Sequence, residues 1–356
     1  MQTVNNSKSM EGPMPNPFTL TFGKSPLESV DRPVQINEIT ESFTSDPVNQ
    51  QMFIITGIRG SGKTVMMTEI SHKLRENADW IVIELNPATD LLSAMLSKLN
   101  SDPLCAVLIK SARINLSFWG FGIAIEGTPP ITDTETAIMK ILENLKKNGK
   151  RLLITIDEMT NNESMKIFAG SFQIFVRQEL PVFLLGTGLY ENIEELQNEK
   201  SLTFLYRAPK IQLRPLNNSA IIHKYKTIFN LTPEQASQMA GLTKGYPFAF
   251  QVLGYLTWNH NGDYLSVVDE YEQYLSEFVY DKIWSELSPK DRTVAKAIAD
   301  VKSGKIKEIR DYLKMETNEF NPYRKRLIRK GIVSGETRGY VSFTLPLFDK
   351  YVLENY

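Results

Sequence analysis

The residues best suited to chemistry form a glycine-rich loop, G-I-R-G-S-G-K-T, at positions 57–64. The loop follows the apolar run 52–56 and precedes the helix-like stretch 65–76. Because glycines have no side chains, backbone N–H groups there can approach phosphate oxygens at a helix N-terminus. This pattern predicts a phosphate-binding loop, and the alternative is a glycine-rich turn with a surface lysine. The predicted nucleotide-binding residues are Gly57, Ile58, Arg59, Gly60, Ser61, Gly62, Lys63, Thr64 and Val65.

Two residues of the loop have specific expected roles. Lys63 is placed to reach the β- and γ-phosphates of ATP and to act in catalysis. The Thr64 hydroxyl is a hard oxygen ligand of the type that Mg²⁺ prefers. ATP and Mg²⁺ are therefore the predicted cofactors.

A second element, residues 152–158, is an apolar strand-like run that ends in two adjacent carboxylates. At the carboxyl end of a parallel strand, Asp157 is placed to hold Mg²⁺ through water. Glu158 is placed to orient and deprotonate an attacking water. Such a pair is typical of ATP hydrolases with a glutamate base, although a solvated strand-end turn also contains these residue types.

Two further residues are weaker candidates for catalysis. Thr187 ends the strand-like run 181–188 and is our candidate sensor of the γ-phosphate, the alternative being a plain Thr-Gly turn. Arg207 precedes the short strand predicted at 209–213 and is a candidate arginine finger acting on a neighbouring subunit. A purely structural arginine is the alternative there.

The order of strand and helix patterns predicts an α/β fold, a P-loop NTPase core with a parallel sheet and the ligand at the strand carboxyl ends. The core spans 16–215 after a flexible tail at 1–15, which lacks the apolar segment of a signal peptide. Within it, the β-rich segment at about 111–130 predicts an inserted hairpin, whose aromatic residues either pack onto the core or form a partner surface. The predicted strands are 52–56, 80–85, 151–157, 182–187 and 209–213, and the predicted helices are 63–76, 133–148 and 161–178.

The rest of the chain predicts an all-α lid at 216–282 and a winged-helix domain at 283–356. In the lid, Asn218 or Ser219 and then Thr232 are expected to cap helices, and a long helix is expected at about 265–287. In the last domain, Asn321 and Pro322 are expected to start the third helix, followed by a hairpin with its tip at 335–339.

Positive charge is concentrated in this last domain. Between positions 302 and 338 there are eleven Lys or Arg against five Asp or Glu, a local net charge of +6, whereas the whole chain has −1. This pattern favours duplex DNA as a partner, and a protein partner is the alternative. The candidate DNA contacts are Arg324, Lys325, Arg329 and Arg338.

Composition favours a soluble, cytoplasmic protein with more than one folding unit. The chain has 356 residues, of which 42% are hydrophobic and 23% charged. Its single cysteine, Cys105, excludes an intramolecular disulfide, and its three histidines are too scattered to suggest a zinc site. No apolar run has the length needed to cross a membrane.

These motifs, with Gly245-Tyr246-Pro247 in the lid, resemble the prokaryotic AAA+/STAND-type P-loop ATPases, relatives of the archaeal-type origin-recognition ATPases. The resemblance spans roughly residues 15–350. It implies that Pro247 lies near the nucleotide and that Arg32 belongs to a segment passing over the adenine. An initiator would more often carry a second sensor arginine in the lid, and none follows Pro247 here.

Two functions therefore remain open. The first is an ATP-hydrolysing switch that couples nucleotide state to DNA or protein binding, through lid closure and assembly into a homo-oligomer. The second is a DNA-binding regulator that holds ATP structurally with negligible turnover. Small-molecule kinase chemistry is disfavoured because a lid and a winged helix leave no acceptor pocket.

Overall fold

A five-stranded, all-parallel sheet lies at the centre of the N-terminal part of the chain. The computed structural model describes residues 15–21, 26–121 and 127–356, without the side chains of Lys200, Ser201 and Thr203. The strands follow the spatial order β2-β3-β4-β1-β5. All five predicted strands are present, as β1 Met52–Thr56, β2 Trp80–Leu85, β3 Arg151–Ile156, β4 Val182–Gly188 and β5 Lys210–Gln212.

Helices cover both faces of the sheet, because its strands are apolar on both sides. In β1, Phe53 and Ile55 pack toward α1 and α2, whereas Met52 and Ile54 belong to the opposite core. The first face carries α1 Pro33–Thr44 and α2 Lys63–Arg75. The second carries α3 Leu91–Ser101, α4 Pro103–Ser111, α5 Thr134–Lys147, α6 Glu163–Arg177 and α7 Tyr190–Gln197.

The structure has no strand in the described first half of the predicted inserted hairpin. Residues 114–116 have no regular structure, and Ser117–Trp119 form a short 3₁₀ helix that ends at Gly120, whose φ is +72°. Residues 122–126 lie outside the described part of the chain, as does most of the predicted tail at 1–15. The aromatic Phe118 is exposed, and its ring stands edge-on to Trp119.

The following part is helical, as predicted, with two differences in detail. Asn217 caps the first helix by accepting from the Ala220 amide, one residue before the predicted cap, whereas Thr232 forms the predicted cap with a capping box. The long helix is shorter than predicted and contains a π-helical turn, Ser276–Tyr280. The helices are α8 Asn218–Phe229, α9 Pro233–Gly241, α10 Pro247–Asn259, α11 Val268–Leu275 and α12 Asp281–Ser285.

The C-terminal part has three helices, a two-stranded antiparallel ribbon and a last helix. The third helix begins at Thr317, not at Pro322 as predicted, so Asn321 is not its cap. The earlier start places Phe320 inside the core. This burial offsets the loss of one backbone hydrogen bond, which Pro322 cannot donate. The elements are α13 Pro289–Asp300, α14 Ile306–Leu313, α15 Thr317–Arg329, β6 Val333–Ser334, β7 Ser342–Phe343 and α16 Phe348–Asn355.

One continuous hydrophobic core joins the helical part to the C-terminal part. Tyr280, at the end of the π-helical turn, donates to the Pro346 carbonyl and packs against Phe348. The Tyr351 hydroxyl donates to Asp281 Oδ1 at 2.6 Å. The predicted division between lid and winged helix therefore falls inside a shared core. In the described ranges, no helix is both long and apolar enough to cross a membrane.

The N-terminal segment packs on α10 at Gly254, where the lack of a side chain leaves room for an aromatic ring. The Phe18 ring fills that place and stacks against Phe229, with its edge toward Phe250. A Cβ built on Gly254 would lie 2.4 Å from the ring. Beside it, the Thr19 amide donates to the Gln251 side chain at 3.1 Å.

Replacing Gly254 by alanine is expected to expel Phe18 and destabilise the fold by about 1–3 kcal/mol, as overpacking does. Thermal or urea unfolding measures the effect. Gly241→Ala is the matched control, because a Cβ there meets no atom within 4 Å, and it should change stability by less than about 1 kcal/mol. Equal effects of the two substitutions would contradict the anchoring role of Phe18.

Candidate nucleotide-binding site

The glycine-rich loop runs from the end of β1 to the start of α2, as predicted. Gly60 and Gly62 have φ angles of +69° and +87°, which only glycine adopts without strain. Gly60 also has no room for a side chain, since a Cβ there would lie 2.3 Å from the Tyr246 hydroxyl oxygen. The loop therefore packs closely against the helical part.

Lys63, the first residue of α2, is buried inside the curve of this loop. Its Nζ donates to the carbonyls of Gly57 and Ile58 at 3.0 and 3.1 Å. Burial lowers the pKa of Lys63 to about 8. The carboxylates of Asp157 and Glu158 oppose this shift in the Lys63 pKa, and the Arg59 guanidinium adds to it.

Asp157 joins the ends of three structural elements. Its Oδ2 accepts from the Thr64 hydroxyl at 2.8 Å, and its Oδ1 accepts from the Thr187 hydroxyl. This geometry follows from the strand order, because β4 lies between β1 and β3 and carries Thr187 opposite Ile55 of β1. Mg²⁺ commonly takes one or two protein oxygens besides phosphate and water, and the oxygens of Thr64 and Asp157 fit that requirement.

Glu158 follows Asp157 in a left-handed backbone conformation, with φ of +53°. Its amide donates to Thr187 Oγ1 and to Asp157 Oδ1, both at 3.1 Å. A non-glycine residue in this region of φ is uncommon and costs conformational energy, and such residues cluster at functional sites. The sequence contained no signal for this conformation.

A cavity of about 330 Å³ opens beside the loop, and Glu158 lines it. One wall is the N-terminal segment, with Thr19, Leu20 and Arg32. The Arg32 Nη2 donates to the Arg214 carbonyl at 2.7 Å, and burial lowers the pKa of Arg32 below its ordinary value. The predicted loop residues that line the cavity are Arg59, Gly60, Ser61, Gly62, Lys63, Thr64 and Val65.

The opposite wall comes from the helical part. Pro247 is the first residue of α10 and lines the cavity. Its two neighbours bond directly to the glycine-rich loop: the Tyr246 hydroxyl donates to the Arg59 carbonyl at 2.6 Å, and the Phe248 amide donates to the Gly60 carbonyl at 3.1 Å. Burial raises the pKa of Tyr246 far above its ordinary value, so this hydroxyl remains a donor.

Some cavity residues were not identified from the sequence. Phe278 and Lys282 come from the π-helical turn and α12, and Glu69 comes from α2. Burial, together with the nearby Asp31, raises the pKa of Glu69. No local pattern marks these residues, because only the packing of distant segments brings them to the loop.

Three predicted residues lie elsewhere. Ile58 and Gly57 line a second space between the loop and the C-terminal part, and Gly331 lies close to Ile58 there. Arg207 is exposed at the end of the 3₁₀ segment Lys200–Arg207 and is not among the residues around the cavity.

The predicted DNA contacts divide into two groups. Arg329 is paired with Glu194 of α7 at 3.2 Å, and Lys330 beside it is paired with Glu191. Arg324 lies against Gly335 at the base of the predicted wing, with its Nε buried. Lys325 and Arg338 are exposed, and in the described part of the chain neither has an ion-pair partner.

Arg329 therefore has an ion-pair partner in this conformation, and its contact with DNA stays a prediction. Sequence alone could not show this pairing, because the basic end of α15 packs beside the acidic start of α7, far away in the chain.

Lys63→Met is expected to stabilise the protein at pH 7 by up to about 3 kcal/mol, since one pKa unit corresponds to about 1.4 kcal/mol. The unfolded state binds the Lys63 proton more tightly than the folded state, so the wild type gains stability as pH rises from about 8 toward 10.5. The advantage of the variant should shrink over that range, as urea unfolding at several pH values can measure. Lys73→Met, an exposed position on α2, is the control and should show no such dependence.

Comparison with known proteins supports the fold. A family model described as a domain of unknown function (DUF8462) matches residues 277–352. A Walker-type ATPase of Pyrococcus abyssi superposes with a TM-score of 0.63 at 16% identity, covering 91% of this chain and 96% of that chain. The ORC2 protein of Aeropyrum pernix, in ADPNP and ADP complexes, gives a TM-score of 0.56 at 13% identity, covering 90% and 91%.

No curated protein matches the chain in sequence. The structural overlaps nevertheless extend over nearly the full length of both chains. The chain therefore shares the overall fold of these two proteins.

Proposed function

We propose that this protein binds ATP with Mg²⁺ and hydrolyses it to ADP and phosphate. The observation that carries this proposal is the hydrogen-bonded cluster of Thr64, Asp157 and Thr187, with Glu158 beside it at the edge of the cavity. These groups meet at the carboxyl ends of parallel strands, where ligands bind in open α/β sheets. The likeness to a Walker-type ATPase in fold supports the same activity.

The chemistry assigned to the site is in-line attack of water on the γ-phosphate. Lys63 and the loop amides stabilise the negative charge on the phosphates. Thr64 and Asp157 would hold Mg²⁺, which would supply further neutralisation of the phosphate charge. Glu158 accepts the proton of the attacking water, and Thr187 orients that water or contacts the γ-phosphate.

Arg207 is assigned a role in trans. It is exposed and away from the cavity of its own chain, so it would reach a γ-phosphate only in a neighbouring copy. Assembly into a homo-oligomer would then be required for full activity.

Glu158→Gln is expected to lower kcat by about 10²–10⁴-fold, the usual contribution of a general base. ATP binding should remain, because the amide keeps the shape of the side chain and the Glu158 backbone bonds are unchanged. Steady-state phosphate release and equilibrium nucleotide binding measure the two properties. Glu163→Gln, at an exposed position on α6, is the control.

The second candidate function, structural ATP binding with negligible turnover, gives a different result. The wild type would then bind ATP tightly without releasing phosphate, and Glu158→Gln would change neither property. That outcome would leave the C-terminal part as the functional element.

We propose further that the nucleotide site controls DNA binding by the C-terminal part. Helix α7 begins two residues after β4, the strand that carries Thr187. Its Glu191 and Glu194 hold Lys330 and Arg329 at the end of α15, the helix predicted to contact DNA. A shift of α7 would therefore free these two cations to bind DNA phosphates together with the exposed basic residues nearby. A partner protein is the alternative ligand of this surface.

The double substitution Glu191→Gln/Glu194→Gln is expected to strengthen binding to duplex DNA. With two more cations available for phosphates, the slope of log K against log salt should steepen by about two. Fluorescence anisotropy at several salt concentrations measures both effects. Glu195→Gln, an exposed residue on α7, is the control, and unchanged DNA binding in the double variant would favour a protein partner.

A further inference from the structure

One carboxylate connects the glycine-rich loop to the helix that leads into the C-terminal part. Glu286 follows α12, and its Oε1 contacts Arg59 Nη2 at 3.1 Å and Lys282 Nζ at 3.5 Å. Arg59 belongs to the loop, Lys282 belongs to α12, and both line the cavity. Because they share one oxygen atom, the two cations lie close together on the side of the cavity where the loop is.

The π-helical turn explains why Lys282 faces the cavity. In an α-helix each residue advances the direction of the side chain by about 100°, so a turn with an extra residue rotates everything after it. The π-helical turn Ser276–Tyr280 directly precedes α12. After it, Ile283 and Trp284 are buried in the shared core, whereas Lys282 is exposed toward the cavity.

Arg59 is incompletely paired in this arrangement. Its Nη2 contacts Glu286, but its buried Nε has no hydrogen-bond acceptor in the described part of the chain. A buried donor without an acceptor costs about 1–3 kcal/mol. The oxygens of a phosphate group would supply acceptors to Arg59 and Lys282 together, and guanidinium groups suit phosphates well.

We propose that Lys282 is a nucleotide-binding residue and that Glu286 is a counter-ion which competes with the nucleotide phosphates for Lys282 and Arg59. This inference rests on the proposed ATP binding and assigns two further residues to the same site. When phosphate replaces Glu286 as the partner of both cations, the ion pair between the loop and the end of α12 is lost. Ser288, which caps α13, lies two residues beyond Glu286, so the release occurs at the entry to the C-terminal part.

The two substitutions should have opposite effects, which separates this role from simple structural support. Lys282→Gln is expected to raise the Kd of ATP by about tenfold, with a smaller effect on ADP because ADP has fewer phosphate charges. Glu286→Gln is expected to lower the Kd of ATP by about threefold or more, because the competing charge is removed. Isothermal titration with ATP and ADP measures both without any need for turnover.

Three control variants test the specificity of these effects. Lys282→Arg keeps the positive charge and should restore most of the affinity. Lys290→Gln, exposed on α13, and Glu277→Gln, exposed on the π-helical turn, remove the same charges outside the cavity and should leave the Kd of ATP unchanged. The melting temperature without nucleotide shows whether each variant is folded.

The inference is overturned if Lys282→Gln behaves like Lys290→Gln, or if Glu286→Gln weakens ATP binding as Lys282→Gln does. In the second case the ion pair would only support the fold of the site. A wild type that binds no ATP would overturn the proposed function together with this inference. Normal wild-type binding with an unaffected Lys282→Gln variant overturns this inference alone.

Discussion

The hydrogen bonds of the Asp157 carboxylate are the interaction on which the site depends. They connect Thr64 at the start of α2 with Thr187 on β4 and place Glu158 beside them. The strand order makes this possible. Because β4 lies between β1 and β3, the end of β4 lies between the loop that follows β1 and the carboxylate that follows β3. A carboxylate with several hydrogen-bond donors is held in one orientation, and this fixes the positions of the groups around it.

The same region is coupled mechanically to the rest of the chain. Tyr246 and Phe248 bond to the backbone of the glycine-rich loop, and the helices that follow them share one core with the C-terminal part. The loop is therefore connected to the C-terminal part through hydrogen bonds and packed side chains. The ion pairs of Glu286 and of α7 add charged contacts between the same two regions.

Local patterns predicted the sheet well because buried parallel strands are continuous apolar runs bounded by turn residues. They were less accurate where several weak preferences compete. Pro322 is often a first helical residue, yet α15 begins at Thr317 because Phe320 must reach the core. The helix after Leu265 was predicted as regular, and its π-helical turn depends on the packing of Tyr280 with distant aromatic rings.

The sequence by itself determined the glycine-rich loop, the strand-end carboxylates and the α/β class, because each of these depends on residues that are neighbours in the chain. Only the tertiary structure decided which distant groups meet. It placed Lys282 and Phe278 in the cavity and Glu286 against Arg59, and it paired Arg329 with an acidic residue of α7. Charge and polarity can be counted along a sequence, but the partner of a charged side chain depends on how the segments pack.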